Sequence, residues 1–206
     1  MIKATKSEWL KKLFYRFESI FILNRRFRRI EIKGKLHYPG ESVLLLQNHF
    51  SWWDGFLGSY LCYKYLKKSY HVMVQENQLE RHWYFRYKGA FSVKKKSREA
   101  LESIEYAQNL LADTKNLVLI FPQGRLNSMH VTTIAVEGGV KKLIAGCGRN
   151  CRVLYNAVVV DFLEGFKPIV TLHLLDLGTA NEVDLDTMAE QISAFQQAVL
   201  AGAVRK

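Results

Sequence analysis

Short apolar runs alternate along the chain with stretches in which apolar residues recur every three or four positions. The apolar runs predict strands at 42–47, 71–74, 91–93, 117–121, 153–160 and 169–174. The recurring pattern predicts helices at about 52–67, 77–88, 98–112, 136–146 and 184–202. The clearest amphipathic stripe comprises Ala100, Leu101, Ile104, Ala107, Leu110 and Leu111. This alternation predicts a single α/β domain with helices flanking a largely parallel central sheet.

Residues 1–36 differ from the rest of the chain in both pattern and charge. Their apolar residues recur at helical spacing and share one face: Trp9, Leu10, Leu13, Phe14, Phe17, Ile20 and Phe21. Cationic and polar residues lie away from that face or follow it: Lys11, Lys12, Arg16, Ser19, Arg25, Arg26, Arg28 and Arg29. The segment contains eleven Lys/Arg and three Glu, and so carries eight of the eleven net positive charges. We expect residues 1–36 to form a basic amphipathic helical segment and residues 37–206 to form the main domain.

The segment 1–36 has the composition of a helix that lies on an anionic membrane surface, with aromatic residues on one face and cations on the other. The alternative is a helix that packs on its own domain and leaves a solvated basic side. Nucleic acid is another usual partner of a basic chain. No nucleic-acid-binding motif occurs here, however, and that partner would leave the apolar face unexplained. We therefore expect contact with a membrane surface and none with nucleic acid.

Composition narrows the class of protein further. A chain of 206 residues, 49% of them hydrophobic, is long and apolar enough for one well-formed core. No apolar run approaches the roughly 20 residues that span a bilayer, and the charged first residues do not fit a signal peptide. Three cysteines suggest reduced thiols, and Cys147 and Cys151 lack a second ligand pair, so no metal is expected. The expected location is cytoplasmic, peripheral on the inner face of the cell membrane.

Asn48 and His49, followed by Asp54, form the first chemical motif, directly after the apolar run that ends at Leu46. A neutral imidazole can take a proton from a hydroxyl near pH 7, and a nearby carboxylate can orient it and stabilise the imidazolium. The same residues also fit a capping box, with Ser51 as N-cap and Asp54 three residues later. The two interpretations are compatible. Because no Gly-x-Ser-x-Gly nucleophile motif is present, the attacking hydroxyl would belong to a substrate.

A second motif follows the buried run 117–121, in the order Phe121, Pro122, Gln123, Gly124 and Arg125. Pro122 ends the hydrogen-bonding ladder, Gly124 permits a tight turn, and Arg125 offers a planar donor fork for phosphate or carboxylate. The alternative is an ordinary turn after a strand with a solvated arginine. Both motifs end strands, so both can open towards one crevice at the carboxyl edge of the sheet.

Together the two motifs resemble the conserved blocks of the glycerophospholipid acyltransferases, which include the lysophosphatidic acid acyltransferases. Between them, residues 89–95 (Gly-Ala-Phe-Ser-Val-Lys-Lys) resemble the second block of that family. The chain departs from the family pattern in three blocks. Gln123 replaces a glutamate, Arg125 stands where threonine is usual, Lys94 and Lys95 replace Asp-Arg, and Asn156 lies in an apolar strand that lacks the usual proline.

The resemblance implies transfer of a fatty acyl group from acyl-CoA or acyl carrier protein to a hydroxyl of a lysophospholipid, a glycerol-phosphate-type acceptor or another lipid. His49 would be the general base and Asp54 its orienting carboxylate, with the acyl thioester as co-substrate and no cofactor or metal. The implied substrate-binding residues are Asn48, Ser51, Lys94, Lys95, Phe121, Pro122, Gln123, Gly124 and Arg125. Two alternatives stay open: a non-catalytic lipid-binding protein on the same fold, and a hydrolase that passes the acyl group to water.

Overall fold

Strands and helices alternate along the chain, as the apolar pattern predicts. The computed structural model describes residues 1–5, 7–94, 99–163 and 165–204. Its strands are β1 (Arg29–Lys33), β2 (Ser42–Gln47), β3 (Ser69–Gln75), β4 (Ala90–Val93), β5 (Asn116–Ile120), β6 (Cys151–Asp161) and β7 (Ile169–Thr179). Its α-helices are α1 (Glu8–Phe17), α2 (Asn24–Arg26), α3 (Asp54–Leu61), α4 (Glu76–Arg81), α5 (Glu99–Leu111), α6 (Gly138–Ala145) and α7 (Met188–Val204). Two π-helical turns (Glu18–Leu23 and Cys62–Leu66) extend α1 and α3, and a 3-10 helix (Trp83–Lys88) follows α4.

The strands form one seven-stranded sheet in the order β1-β7-β6-β2-β5-β3-β4. Each neighbouring pair is parallel except β6 and β7, which are antiparallel. Only seven residues separate the end of β6 from the start of β7, which is enough for an antiparallel return but too few for a parallel crossover. The predicted α/β fold with a largely parallel sheet is therefore confirmed.

Helices cover both faces of the sheet, which is why the central strands carry continuous apolar runs and do not alternate between apolar and polar residues. All six residues of β2 are buried. Helices α5, α6 and α7 pack on one face, and α3 with the N-terminal helices packs on the other. Gly58 allows α3 to lie close to the sheet, since a Cβ there would come within 2.6 Å of Leu119 Cδ2. This close packing places Asp54, the first residue of α3, near the carboxyl ends of the central strands.

The N-terminal segment is helical only as far as Arg26, because Arg29–Lys33 form β1 and pair with β7 at the edge of the sheet. The sequence Arg-Ile-Glu-Ile-Lys alternates charged and apolar residues, a pattern of a partly exposed strand. It contains no continuous apolar run, which is the pattern from which the other strands were predicted. The helical prediction is therefore wrong for these five residues, and the division of the chain at residue 36 stays a prediction.

Helix α1 turns an apolar stripe away from the protein. Trp9, Leu13 and Phe17 are 70%, 49% and 54% exposed, whereas Lys11 on the opposite side is only 2% exposed. Lys12 is exposed beside the stripe. The predicted amphipathic helix is thus present, but these apolar side chains do not pack on the domain. Within the described ranges, no helix combines the length and apolar character that crossing a bilayer requires.

Candidate active site

His49 and Asp54 form a hydrogen-bonded pair just beyond the carboxyl end of β2. The Nδ1 atom of His49 lies 2.8 Å from Oδ2 of Asp54. The Asp54 side chain is fully buried, while that of His49 is 24% exposed. A carboxylate can only accept, so Nδ1 donates and Nε2 is the nitrogen that can take up a proton in this tautomer. The pair has the arrangement that general-base catalysis requires.

The turn between the two residues holds the Asp54 carboxylate in place. Its Oδ2 accepts hydrogen bonds from the backbone N–H of Phe50 at 2.7 Å and of Ser51 at 2.8 Å. Its Oδ1 accepts from the Ser51 hydroxyl at 3.0 Å, and the Ser51 hydroxyl accepts from the Trp53 N–H at 3.0 Å. Helix α3 begins at Asp54, two residues later than predicted, and its N-cap is Trp53, which makes no side-chain capping bond. The expected capping box, with Ser51 as N-cap and Asp54 three residues into the helix, is therefore wrong in position, although Ser51 and Asp54 do hydrogen-bond to each other.

A buried set of amides fastens this turn to the sheet. Asn48 donates to the carbonyl of Val158 at 3.0 Å and accepts from its N–H at 2.8 Å. Gln47 donates to the backbone carbonyl of Asp54 at 2.9 Å and accepts from the Asn156 side chain at 2.9 Å. Sequence reasoning did not assign a function to Gln47 or Asn156. The sequence pattern that could have identified them is an isolated polar residue in an apolar run: Gln47 ends the run 42–47, and Asn156 lies in the middle of the run 153–160.

The second motif approaches His49 from β5. Gly124 has a φ of +60°, which favours glycine, and its N–H closes the turn by donating to the Phe121 carbonyl at 3.0 Å. The Asn127 N–H donates to the His49 carbonyl at 2.8 Å. The rings of Phe121 and His49 stack with centroids 3.9 Å apart and planes 15° from parallel. The two motifs therefore meet at one crevice, as expected from their positions at strand ends.

A cavity of about 720 Å³ opens beside His49 and extends between the sheet and its helices. Its wall is mainly apolar and includes Trp52, Phe56, Met73, Phe85, Ile104 and Leu143. The lining residues also include two cations, Lys88 and Arg125. Such a cavity suits a ligand with a long apolar chain and a small polar or anionic group.

The predicted substrate-binding residues fall into three groups. Those that line the cavity are Ser51, Phe121, Gly124 and Arg125. Those that are buried in the surrounding turns are Asn48, Pro122 and Gln123. Lys94 is more than half exposed and lies 3.4 Å from Glu99, and Lys95 falls outside the described residues. The cavity-lining cation Lys88 was not among the predicted site residues, because it lies in an aromatic-basic stretch that is equally typical of a solvated helix face.

The aromatic residues next to the first motif belong to the cavity as much as to the core. Trp52 is half exposed, and its ring lies 5.4 Å from that of Phe85 across the cavity mouth. Phe56 and Phe85 make an edge contact at 6.3 Å. The sequence favours a core role over a pocket role for Trp52, Trp53 and Phe56. The structure places Trp52 and Phe56 in the cavity wall, whereas Trp53 packs against the core.

Comparison with known proteins gives a family and a fold. The model of the family described as Acyltransferase matches residues 29–165, more than half of the chain. Among curated proteins, none matches this sequence. The crystal structure of the 1-acyl-sn-glycerophosphate (LPA) acyltransferase PlsC from Thermotoga maritima is similar, with a TM-score of 0.52 and 15% sequence identity. The alignment covers 96% of this chain and 76% of that chain, and at this identity it shows a shared fold.

Proposed function

The chain belongs to the Acyltransferase family, and on that premise we propose that it transfers a fatty acyl group from a thioester to a hydroxyl of a lipid. The donor is acyl-CoA or acyl carrier protein, and the acceptor is a lysophospholipid, a glycerol-phosphate-type molecule or another lipid alcohol. One observation carries the proposal: the His49–Asp54 pair stands at the mouth of a largely apolar cavity.

In the proposed reaction, Nε2 of His49 takes the proton from the acceptor hydroxyl as its oxygen attacks the thioester carbonyl. Asp54, hydrogen-bonded at Nδ1, holds the ring and balances the positive charge that develops on it. The tetrahedral intermediate collapses with cleavage of the C–S bond, and the imidazolium returns the proton to the thiolate. The oxyanion needs N–H donors at the cavity rim, and the Gly124 N–H is not one of them because it closes its own turn.

The cavity wall supports a division of roles between its two ends. The apolar wall accommodates the fatty acyl chain, and Arg125 binds an anionic group of the acceptor or donor near the mouth. A guanidinium suits phosphate because its planar fork can donate two parallel hydrogen bonds. Gln123, which replaces the family's glutamate, is only 7% exposed and so acts on the turn more than on a ligand.

Helix α1 supplies the proposed contact with the membrane. Its outward stripe of Trp9, Leu13 and Phe17, flanked by the exposed cations Lys12 and Arg16, fits an interface that is apolar inside and anionic at its surface. The protein would then lie peripherally on the cytoplasmic face of a membrane. Replacing Leu13 and Phe17 by Ser should reduce sedimentation with vesicles that contain phosphatidylglycerol. Leu101→Ser, an exposed apolar site on α5, is the matched control.

Mass spectrometry of extracted products tests the reaction directly. The protein and its His49→Ala variant would be incubated with liposomes, mixed lysolipids and several acyl-CoA and acyl-carrier-protein donors. We expect an acylated lipid that depends on His49, whereas His37→Ala, at an exposed histidine outside the cavity wall, should leave its formation unchanged. Release of free fatty acid alone would indicate hydrolysis. No turnover of any donor would favour a lipid-binding protein and contradict the proposal.

A further inference from the structure

Three exposed aromatic side chains lie in or next to the cavity wall: Trp52, Trp83 and Tyr84, which are 50%, 62% and 37% exposed. We call them the mouth surface. Trp52 lines the cavity, and Trp83 and Tyr84 precede the lining residue Phe85 on the 3-10 helix Trp83–Lys88. A group of large aromatic side chains at the surface indicates an interaction site, because exposure of their apolar area to water is unfavourable in free energy. Trp and Tyr together are enriched where a protein meets the headgroup region of a bilayer, since their rings are apolar and their N–H and O–H groups are polar.

The mouth surface continues without a break into the cavity wall. Tyr84 and Phe85 have ring centroids 4.8 Å apart, and Phe85 lies 5.4 Å from Trp52. Phe85 and Trp52 both line the cavity in which His49 lies. An apolar chain that touched the exposed rings could therefore reach the cavity along aromatic side chains, past the His82 ring, which lies 4.9 Å from that of Trp52 and 6.0 Å from that of Tyr84.

The mouth surface is also connected to the proposed membrane helix. Lys88 lies between the two, with its Nζ 4.5 Å from the ring centroid of Phe56 in the cavity wall and 5.8 Å from that of Phe14 on α1. Helix α1 packs along the 3-10 helix Trp83–Lys88 that carries Trp83 and Tyr84. The outward stripe of α1 and the mouth surface are therefore carried by elements in direct contact.

The charge around the mouth surface matches an anionic partner. Residues 81–88 contain Arg81, Arg86 and Lys88 but no Asp or Glu. Arg81 and Arg86 are exposed, so cations flank the exposed rings, as they flank the stripe on α1. Aromatic rings bordered by cations fit a bilayer that contains anionic lipids. A protein partner could also cover exposed aromatic rings, but it would not explain why the rings adjoin a cavity large enough for a lipid chain. We therefore favour a bilayer as the partner.

From these contacts we propose that Trp52, Trp83 and Tyr84 form a second bilayer contact, separate from α1, through which lipid substrates pass from the membrane into the cavity. The proposal rests on the proposed acyl transfer for its purpose, but it makes a claim of its own about which side chains enter the lipid. Lys88, at the junction of the two surfaces, would meet the anionic headgroup of a lipid as its chain enters the cavity.

Fluorescence quenching tests the contact without any need for turnover. In a full-length variant with Trp9, Trp52 and Trp53 changed to Phe, Trp83 is the single remaining tryptophan. Vesicles of phosphatidylcholine and phosphatidylglycerol, with bromine on the acyl chains of the phosphatidylcholine, would be added. We expect bound protein to show quenched Trp83 emission. Bound protein with unquenched emission, or no binding to these vesicles, would overturn the proposal.

Kinetics tests whether the contact delivers lipid. The variant Trp83→Ser/Tyr84→Ser should lose about tenfold in kcat/KM for a long-chain lysolipid embedded in vesicles, since it removes two large interfacial side chains. It should turn over a short-chain, water-soluble lysolipid as the wild type does, and Leu101→Ser should behave as wild type with both. An equal loss with both acceptors, or no loss with vesicles, would contradict the proposal. If the wild type acylates neither acceptor, the proposed function fails and the quenching result alone decides the contact.

Discussion

Two histidines stand at opposite ends of the sheet in opposite surroundings. His49 follows β2 at the carboxyl edge, with the Asp54 carboxylate 2.8 Å away and one side open to the cavity. His71 lies near the start of β3 and is 5% exposed, with the Lys11 ammonium 3.2 Å from its Nε2. Lys11 is itself buried and paired with Glu8 at 2.7 Å.

The sign of the neighbouring charge gives the same side chain two different uses. Burial, and then repulsion by the Lys11 ammonium, lowers the pKa of His71 from its ordinary value of 6.5 to about 4. The His71 ring is thus kept neutral and accepts a hydrogen bond that fixes α1. His49 instead lies beside a buried carboxylate, which can balance the positive charge of an imidazolium in the proposed reaction.

The largest effect should come from removing the charge beside His49. Asp54→Asn should lower kcat by ~10⁴-fold, because an amide cannot balance the imidazolium and holds the ring less well. Steady-state kinetics with a saturating acyl donor would measure the loss, and circular dichroism would check the fold. His71→Gln should keep wild-type turnover. An Asp54→Asn enzyme within tenfold of the wild type would show that the pair has no catalytic role.

The next effect concerns stability rather than rate. Because the pKa of His71 is lower in the folded than in the unfolded protein, its neutral form stabilises the fold fully above pH 6.5, and this contribution is lost as the pH falls towards 4. The loss should amount to about 3 kcal/mol. Urea unfolding at pH 7, 6, 5 and 4 would measure it. His71→Gln keeps an acceptor for Lys11 and should show a flatter dependence; an unchanged dependence would contradict the assignment to His71.

A smaller effect should follow from removing the ring that stacks on His49. Phe121→Leu keeps the cavity apolar but removes the ring 3.9 Å from His49. We expect kcat to fall about tenfold, in line with the ~0.5–1.5 kcal/mol of an aromatic pair, with KM little changed. Phe195→Leu removes an edge contact with Tyr155 on the far face of the sheet and is the matched control. A raised KM with unchanged kcat would instead identify Phe121 as a substrate-binding residue.

The smallest effect should come from the ammonium beside His71. Lys11→Met removes the second cause of the low pKa of His71, so that pKa should rise towards its ordinary value while burial still holds it below 6.5. An NMR titration of the imidazole C–H signal would follow the change. Lys12→Met, on the exposed side of the same helix, should leave the titration unchanged. Equal shifts in both variants would mean that general charge, not contact, sets the value.

Local patterns were sufficient to predict the pairing of His49 with Asp54 and the largely parallel sheet. The two residues lie within a stretch of six, so one short piece of sequence contains the pair and the hydrogen bonds that hold it. The buried strands could be predicted because a strand covered on both faces contains a continuous apolar run, as residues 43–46 do in β2. β1 could not be predicted, because charged and apolar residues alternate along this edge strand. Its sequence therefore resembles the basic segment before it.

Contacts between distant residues were beyond prediction from the pattern. Periodicity shows that α1 has two different faces, but not which of them packs on the protein. Lys11 can be buried because its ammonium contacts Glu8, Ser69 and His71, and two of these residues lie far from it in sequence. The support of Asp54 by Gln47 and Asn156 likewise joins residues 109 apart in sequence. Lys88 was not predicted as a site residue because its contact with Phe56, 32 positions earlier in the sequence, exists only in the folded protein.

The single antiparallel pair in the sheet decides where the basic residues of the N-terminal segment arrive. Because β7 runs against β6 and β1 runs with β7, the start of β1 lies level with the end of β6, where Asp161 and Arg29 both pair with Ile169. If β7 and β1 ran parallel to β6, Arg28 and Arg29 at the start of β1 would lie at the opposite edge of the sheet. The antiparallel pairing thus sets the polarity of a surface: it brings positive charge to the rim at which His49 lies, where the guanidinium carbon of Arg26 is 5.5 Å from the Trp53 ring centroid.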